Sequence, residues 1–287
     1  MGNERVKNLS NSKDFEFWPR WSQKTKKILF CSIPFSTTGY KKSKIWIMDD
    51  EGKNRIKLTD GENHNDFFPN WSPDSKKVVF QSNRDGNGEI YIMDGDGKNV
   101  KRLTNNNFED SYPSFSPDGK KIIFQSQRLK KIQIFIINSD GTGEEPLFDE
   151  KAMTQIDLAT SAFSLRPNSR APKYIVGDNN EFCPNFSFDG EKIYFIMNNY
   201  STPPQIYEYD TKSQTIRKFS AIAKDKSLFK DDYVFVSPDN KKILISTLSD
   251  KDYMRRRMSF ISTSDFDDRK IIVDWDCNIW FPSWMNY

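Results

Sequence analysis

One histidine, His64, serves all 287 residues, so a metal site built from several imidazoles is excluded. Cysteine is nearly as scarce. Cys31, Cys183 and Cys277 stand far apart with no C-x-x-C pairing. An odd count in so long a chain argues for free thiols rather than a disulfide framework. No apolar run approaches the ~20 residues that cross a bilayer, so no membrane insertion is expected. An excess of either charge is missing too, with Lys+Arg 43 against Asp+Glu 40. Nucleic-acid binding wants a basic excess on one face, so no nucleic-acid partner is expected. There is no G-x-S-x-G elbow, no G-x-x-x-x-G-K-[ST] loop and no G-x-G-x-x-G turn, which removes the common hydrolase, nucleotide and dinucleotide machineries. The opening Met1-Gly2-Asn3-Glu4-Arg5 carries no apolar leader, and Val6 stands where myristoylation wants Ser or Thr. Read as a native start, that opening implies the cytoplasm.

Runs rich in Ala and Leu are scarce as well, whereas aromatics reach 14%. Ile, Val, Phe, Tyr, Trp and Thr dominate the apolar segments, as strands prefer. Those segments repeat. Pro19-Arg20-Trp21-Ser22, Pro69-Asn70-Trp71-Ser72, Pro113-Ser114-Phe115-Ser116 and Pro184-Asn185-Phe186-Ser187 each precede a run such as Lys77-Val78-Val79-Phe80. A second run such as Ile90-Tyr91-Ile92-Met93-Asp94 follows, then a short Arg102-Leu103-Thr104. A fifth repeat keeps Ser237-Pro238-Asp239-Asn240 but has Val234 in place of the first proline, and a sixth start stands at Pro282-Ser283-Trp284. Aligned prolines are spaced by 50, 44, 71, 50 and 48 residues, so only the third interval carries a large insertion, at 149–180. That stretch reads as an insertion or a decayed blade.

Ser-Pro-Asp-Gly and its variants are tight turns: Pro presets φ, Asp bonds its own backbone, and Gly or Asn takes the left-handed place. The following runs are apolar on both strand faces, which means a sheet covered on both sides. Four short strands per 40 to 50 residues, stacked around an axis, predict a β-propeller. The expected architecture is all-β: one domain over 1–287, six blades of four antiparallel strands, one of them incomplete, with repeats starting near 16, 66, 110, 181, 231 and 279. Arg5-Val6-Lys7-Asn8-Leu9-Ser10 matches the fourth strand of a repeat, so the two chain ends are expected to meet in one blade.

Pro69-Asn70-Trp71-Ser72-Pro73-Asp74, Ser82-Asn83-Arg84-Asp85-Gly86, Glu89 to Asp94 and Arg102-Leu103-Thr104 resemble the repeats of TolB-like β-propellers. The resemblance covers about residues 15 to 284. It implies a monomeric propeller of the bacterial envelope or periplasm, of a kind that binds other proteins and needs no cofactor.

Three residues before the aligned proline, five of the six repeats carry an acid, Glu16, Asp66, Asp110, Glu181 and, at the Val234 repeat, Asp231, while the sixth has Ile279. First strands line a propeller's channel, so these carboxylates are expected near one channel mouth. At ~8 Å apart they repel by roughly 0.5 kcal/mol per pair in water, and therefore recruit cations or backbone donors. Two readings stay open. One is a Ca²⁺ site at Asp66, Asp110 and Glu181, or a site for a partner's lysine. The other is that each acid locks the neighbouring blade. One residue before the proline stand Trp18, Phe68, Tyr112, Tyr233 and Phe281, with Cys183 as the exception. Period-two alternation puts them on the side of the acids, as a collar that anchors a partner peptide or packs between blades. Trp21, Trp71, Phe115, Phe186 and Trp284 are assigned to the core. Asp85 to Glu89 and Asp94 to Gly97 read as hairpin turns, and Arg255-Arg256-Arg257 as a basic tip between strands.

The function implied is a non-catalytic protein-interaction scaffold whose partner docks at the acidic and aromatic channel mouth. The competing class is a hydrolase or lyase using channel carboxylates, Asp66 and Asp110 first, on a carbohydrate or peptide.

Overall fold

Each repeat folds into one antiparallel sheet in which the strands follow chain order. The computed structural model describes residues 8–35, 42–128, 132–148, 180–199, 202–218, 230–248, 256–263 and 269–275. The first sheet is β1 (Phe15–Ser22), β2 (Lys27–Ile33), β3 (Lys44–Asp49) and β4 (Ile56–Lys57). The second is β5 (Asp66–Trp71), β6 (Lys77–Ser82), β7 (Glu89–Asp94) and β8 (Lys101–Arg102). The third is β9 (Asp110–Phe115), β10 (Lys121–Ser126), β11 (Gln133–Asn138) and β12 (Glu145–Pro146). The fourth is β13 (Asn180–Phe186), β14 (Lys192–Asn199), β15 (Thr202–Asp210) and β16 (Thr215–Lys218). The fifth is β17 (Lys230–Val236), β18 (Lys242–Leu248), β19 (Arg256–Ser262) and β20 (Arg269–Trp275). The described residues thus hold five four-stranded blades. The 149–179 stretch, the sixth start at Pro282, and with them Phe281 and Cys277, lie outside them. Arg256 and Arg257 belong to β19 rather than to a tip.

Strands apolar on both faces are covered on both faces. In β6 and β10 every residue but the first is buried. Phe80 and Phe124 are wholly enclosed, and burying a side chain of that size is worth roughly 1.5–3 kcal/mol. Three of the apolar clusters among the described residues lie between sheets. One joins Leu29, Ile45 and Ile47 to Val78, Phe80 and Met93, and another joins Val79 and Ile90 to Ile122 and Phe124. Inner strands pack side by side, β1 on β5, β5 on β9, β9 on β13 and β13 on β17, and so surround the channel.

The Ser-Pro-Asp turns repeat atom for atom. The Ser72 hydroxyl donates to Asp74 Oδ1 at 2.6 Å, and the Lys76 amide donates to the same oxygen at 3.0 Å. Ser116 with Asp118, Ser187 with Asp189 and Ser237 with Asp239 do the same. The left-handed place is filled by Ser75, Gly119, Gly190 and Asn240.

The N-terminal segment takes the place of an outer strand. A Cβ on Gly97 would strike the Leu58 carbonyl oxygen at 2.7 Å, and one on Gly141 would lie 3.4 Å from Leu103. Leu58 and Leu103 belong to the outer-strand segments of the preceding blades. At Gly52 of the first blade the corresponding neighbour is Leu9, whose carbonyl oxygen would stand 2.0 Å from such a Cβ. The Ser10 carbonyl also accepts from Arg55 at 3.1 Å. Leu9 therefore sits against the first blade as each outer strand sits against the next.

Candidate functional site

The acids stand at the start of each inner strand, first in β5 and β9 and second in β1, β13 and β17. Asp66 pairs with Ser82 and Asp110 with Ser126 across the first ladder, as Glu16 pairs with Ser32. Asp66 and Asp110 are wholly buried, and a buried carboxylate needs a cation or several donors. Arg84, two residues past β6, donates to Asp66 Oδ1 at 3.1 Å. Arg128, two residues past β10, donates to Asp110 Oδ2 at 3.2 Å. Both guanidiniums are also anchored on the serine opposite the acid, Ser82 or Ser126, at 2.9 Å. In the first blade Pro34 stands at the arginine position, and Arg55 engages Glu16 instead. Glu181 and Asp231 lie in β13 and β17 at the same repeat position.

Asp66 and Asp110 also reach the preceding blade. Lys44, the first residue of β3, lies 3.6 Å from Asp66 Oδ2, and His64 lies 3.3 Å from the same oxygen. The Lys44 ammonium donates to the His64 carbonyl at 2.6 Å. Burial holds the Lys44 ammonium below its ordinary value, with Asp66 opposing, and burial likewise lowers the His64 imidazole. In the next seam Glu89 stands at the Lys44 position, so two carboxylates meet. Asn106 bridges them, its amide donating to Asp110 Oδ2 at 2.8 Å and to Glu89 Oε2 at 3.4 Å. Glu89 is wholly buried and further accepts from Arg102 at 2.8 Å, Thr104 at 2.6 Å and Asn87 at 3.0 Å. Burial raises the Asp110 carboxyl above its ordinary value, with nearby Glu89 adding to the rise, while Ser126, Asn106 and Arg128 oppose it. These are clamps between blades. Glu89, Asn106 and the two arginines were not singled out from the sequence, although Arg84 and Arg128 stand at the same offset from their acids.

The aromatic residues lie elsewhere on the same strands. Each inner strand carries a bulge: β1 skips between Phe17 and Arg20, and β5 between Phe67 and Asn70. Proline has no N–H for the ladder, so a proline inside a strand marks such a bulge. The preceding residue takes a left-handed backbone, with φ of 53° at Trp18, 53° at Phe68, 54° at Tyr112 and 52° at Cys183. Such a conformation costs a non-glycine residue on the order of 1–3 kcal/mol and persists only where the surroundings enforce it. At Trp18, Phe68 and Tyr112 the rings pack on one another at tilted angles. Trp18 and Phe68 have ring centroids 3.9 Å apart, and Phe68 and Tyr112 3.7 Å apart. In β17, where Val234 replaces the proline, Val234 pairs with Ile245 and the bulge moves to the other side of Tyr233.

The collar narrows the channel. Trp18, Phe68, Tyr112, Cys183 and Phe235 surround a neck with a volume of about 20 Å³. On the Ser-Pro-Asp side it opens into a funnel of about 370 Å³, floored by Arg20, Asn70, Ser114 and Asn185 and rimmed by Trp21, Pro73, Pro117, Phe188 and Pro238. Glu16, Asp66 and Asp110 are not among the described residues lining neck or funnel. Among the described residues no group of three or more His, Cys, Asp or Glu side chains is arranged to hold a metal. At Asp66 and Asp110 a calcium ion would have to displace an arginine.

Five meander blades, the interlocking Ser-Pro-Asp turns and inner strands around one channel define a propeller. The model of the TolB beta propeller domain matches residues 2–160, more than half of the sequence. The chain belongs to the TolB β-propeller family. No curated protein matches it. Among solved structures it resembles TolB from Acinetobacter baumannii, with 24% identity and a TM-score of 0.67 over 93% of this chain. It spans 56% of the length of that protein. A putative TolB from Agrobacterium tumefaciens matches with 17% identity and a TM-score of 0.69, covering 93% of this chain and 83% of the other. An oligogalacturonate lyase from Vibrio parahaemolyticus matches with 10% identity and a TM-score of 0.55, covering 93% and 80%. At these identities the likeness is one of fold. No helix among the described residues is long and apolar enough to cross a membrane.

Proposed function

We propose that this TolB-family propeller is a non-catalytic protein-interaction scaffold whose partner docks at the channel. One observation carries the reading. Asp66 and Asp110, the carboxylates that a hydrolase or lyase would use, are wholly buried and hold arginines, while the open cavity of the channel lies over the aromatic neck. Trp18, Phe68 and Tyr112 form the neck beneath that docking site, with Tyr233 and Phe281 at the same repeat positions. Glu16, Asp66 and Asp110 serve it indirectly, as do Glu181 and Asp231 by their place in the repeat, because they keep the inner strands in position. The TolB likeness supports a periplasmic or cell-envelope setting and a monomeric propeller.

The rim offers a clean test, because Phe188 is 52% exposed and its replacement leaves the core intact. Wild type and Phe188→Asp are immobilised and exposed to extract of the source organism, and the captured proteins are compared. A protein retained by the wild type and lost from the variant, with unchanged melting, is expected. Turnover of a polyuronate or peptide by the wild type, abolished in Phe188→Asp, would replace the scaffold with an enzyme.

A further inference from the structure

The chain contains one Asn-Gly pair, Asn87-Gly88, in the connection between β6 and β7. An asparagine followed by glycine is prone to lose its amide, because no side chain on the glycine keeps its nitrogen from the carboxamide before it. The glycine nitrogen attacks the asparagine Cγ and gives up its proton, and ammonia leaves. Water then opens the resulting cyclic imide to an aspartate, or to an isoaspartate whose main chain runs through the side-chain carbon.

Both reacting groups are engaged in the seam between the second and third blades. The Asn87 carboxamide nitrogen donates to the Phe108 carbonyl and to Glu89 Oε1, the latter at 3.0 Å. The Gly88 N–H donates to Glu109 Oε2 at 3.0 Å, and the Gly88 carbonyl accepts from the Asp110 amide at 2.8 Å. Glu109 is itself fixed to the third blade, where its carbonyl accepts from the Gln127 amide at 3.0 Å. Gly88 and Glu89 are buried and Asn87 is half-buried.

Attack requires the carboxamide to fold back over the Gly88 nitrogen, and so to leave Phe108 and Glu89. It also requires the N–H to give up its proton beside the Glu109 carboxylate, and a like charge disfavours the amide anion that forms. The closed seam opposes both changes, and parting of the blades removes both obstacles together.

The same seam demands this labile pair. A Cβ at position 88 would lie 2.2 Å from Gln81 Nε2 and 2.4 Å from Glu109 Oε2, so the close approach requires glycine. Position 87 must donate to the Phe108 carbonyl and the Glu89 carboxylate together, which a carboxamide does with its two N–H bonds. The aspartate left by deamidation has no such donor. It sets oxygen against the Phe108 carbonyl and Glu89, in a seam where Glu89 already meets Asp110 across Asn106.

We propose that Asn87-Gly88 is a modification site guarded by the contact between blades. It deamidates when the second and third blades part, and the new carboxylate then keeps them from closing as before. A reversible opening thereby becomes permanent. The pair shares its connection with Arg84, on the face opposite the funnel, so the inference is independent of what docks there.

Peptide mapping by mass spectrometry tests this on the full-length protein held at mildly alkaline pH, folded or in urea, with Asn138-Ser139 followed as an internal control. Deamidation at Asn87 is expected to run at least about tenfold slower in the folded protein than in urea, because it waits for local opening. Glu109 is exposed, so Glu109→Ala leaves the core alone. That variant is expected to raise the folded rate at Asn87 several-fold with Asn138 unchanged, and Glu109→Gln, which keeps the acceptor but not the charge, to fall between. Asn87→Asp, which reproduces the aspartate product, is expected to lower the urea midpoint. A folded rate at Asn87 equal to or above the unfolded one would overturn the guard. So would a Glu109→Ala protein whose Asn87 rate is unchanged, or whose Asn138 rate rises equally, since that reports global unfolding. A wild-type midpoint in Asn87→Asp would overturn the permanence of the opening.

Discussion

Asp66→Ala is expected to destabilise the protein by about 3–5 kcal/mol, the range found when one partner of a buried ion pair is removed and the other is left behind. Asp66 has no exposed surface, and Arg84, Lys44 and His64 all converge on its two oxygens. Alanine leaves Arg84 without a carboxylate and Lys44 in a site that already disfavours its charge. The backbone contacts survive the change, since Ser43 donates its hydroxyl to the Asp66 carbonyl at 2.9 Å. Urea titration measures the effect as a lower midpoint with little change in slope. This variant also separates two roles. A clamp loses stability when removed, whereas a docking residue loses binding at unchanged stability. An Asp66→Ala protein as stable as the wild type, but unable to capture a partner, would make Asp66 a contact after all.

Asn106→Asp comes next in size. In the wild-type seam the Asn106 amide is the donor between Glu89 and Asp110, while its oxygen accepts from the Phe108 amide at 2.8 Å. Aspartate keeps that acceptor and replaces the donor with a third carboxylate. Like charges ~4 Å apart repel by about 4 kcal/mol at an effective dielectric of about 20, and Arg102 and Arg128 relieve part of this. A loss on the order of 2–4 kcal/mol at neutral pH follows. Its pH dependence has a fixed sign. The Asp110 carboxyl is already raised in the folded protein above the ordinary 3.8. The stability linked to its protonation is therefore fully present below that ordinary value and is lost as pH rises through the raised one. A third acid pushes in the same direction, so the gap between variant and wild type narrows on acidification. Urea midpoints at a series of pH values check this, and a gap of constant size would show that Asn106 does not bridge two ionised groups.

The repeat made the blades legible because turns and strands there are local matters. Ser-Pro-Asp-Gly carries its own hydrogen bonds, and Lys-Val-Val-Phe declares burial on both sides by its composition. The five acids were legible as a recurring position, and their partners were within reach. Arg84 and Arg128 follow their acids by 18 residues in both blades. Pro34 breaks that recurrence in the first blade, where Arg55 comes from far along the chain. What alternation could not show was where the acids stand relative to the collar. A period of two holds only along an unbroken ladder, and Pro19, Pro69, Pro113 and Pro184 each interrupt one. The extra residue turns Trp18, Phe68 and Tyr112 into the neck while Asp66 and Asp110 stay in the seams. A proline in the middle of every inner strand was the available signal. The funnel was hidden for a different reason: Arg20, Asn70, Ser114, Asn185 and Phe235 share a position but no chemistry until five blades bring them together.

Backbone amide exchange on the protein bound to its captured partner tests the channel site most directly. Added protection is expected at the ends of β1, β5 and β9 and in the turns beyond them, around Arg20 to Lys24, Asn70 to Pro73 and Ser114 to Pro117. Protection confined to the outer strands, or to the opposite face around Arg84 and Arg128, with the funnel unchanged, would contradict it.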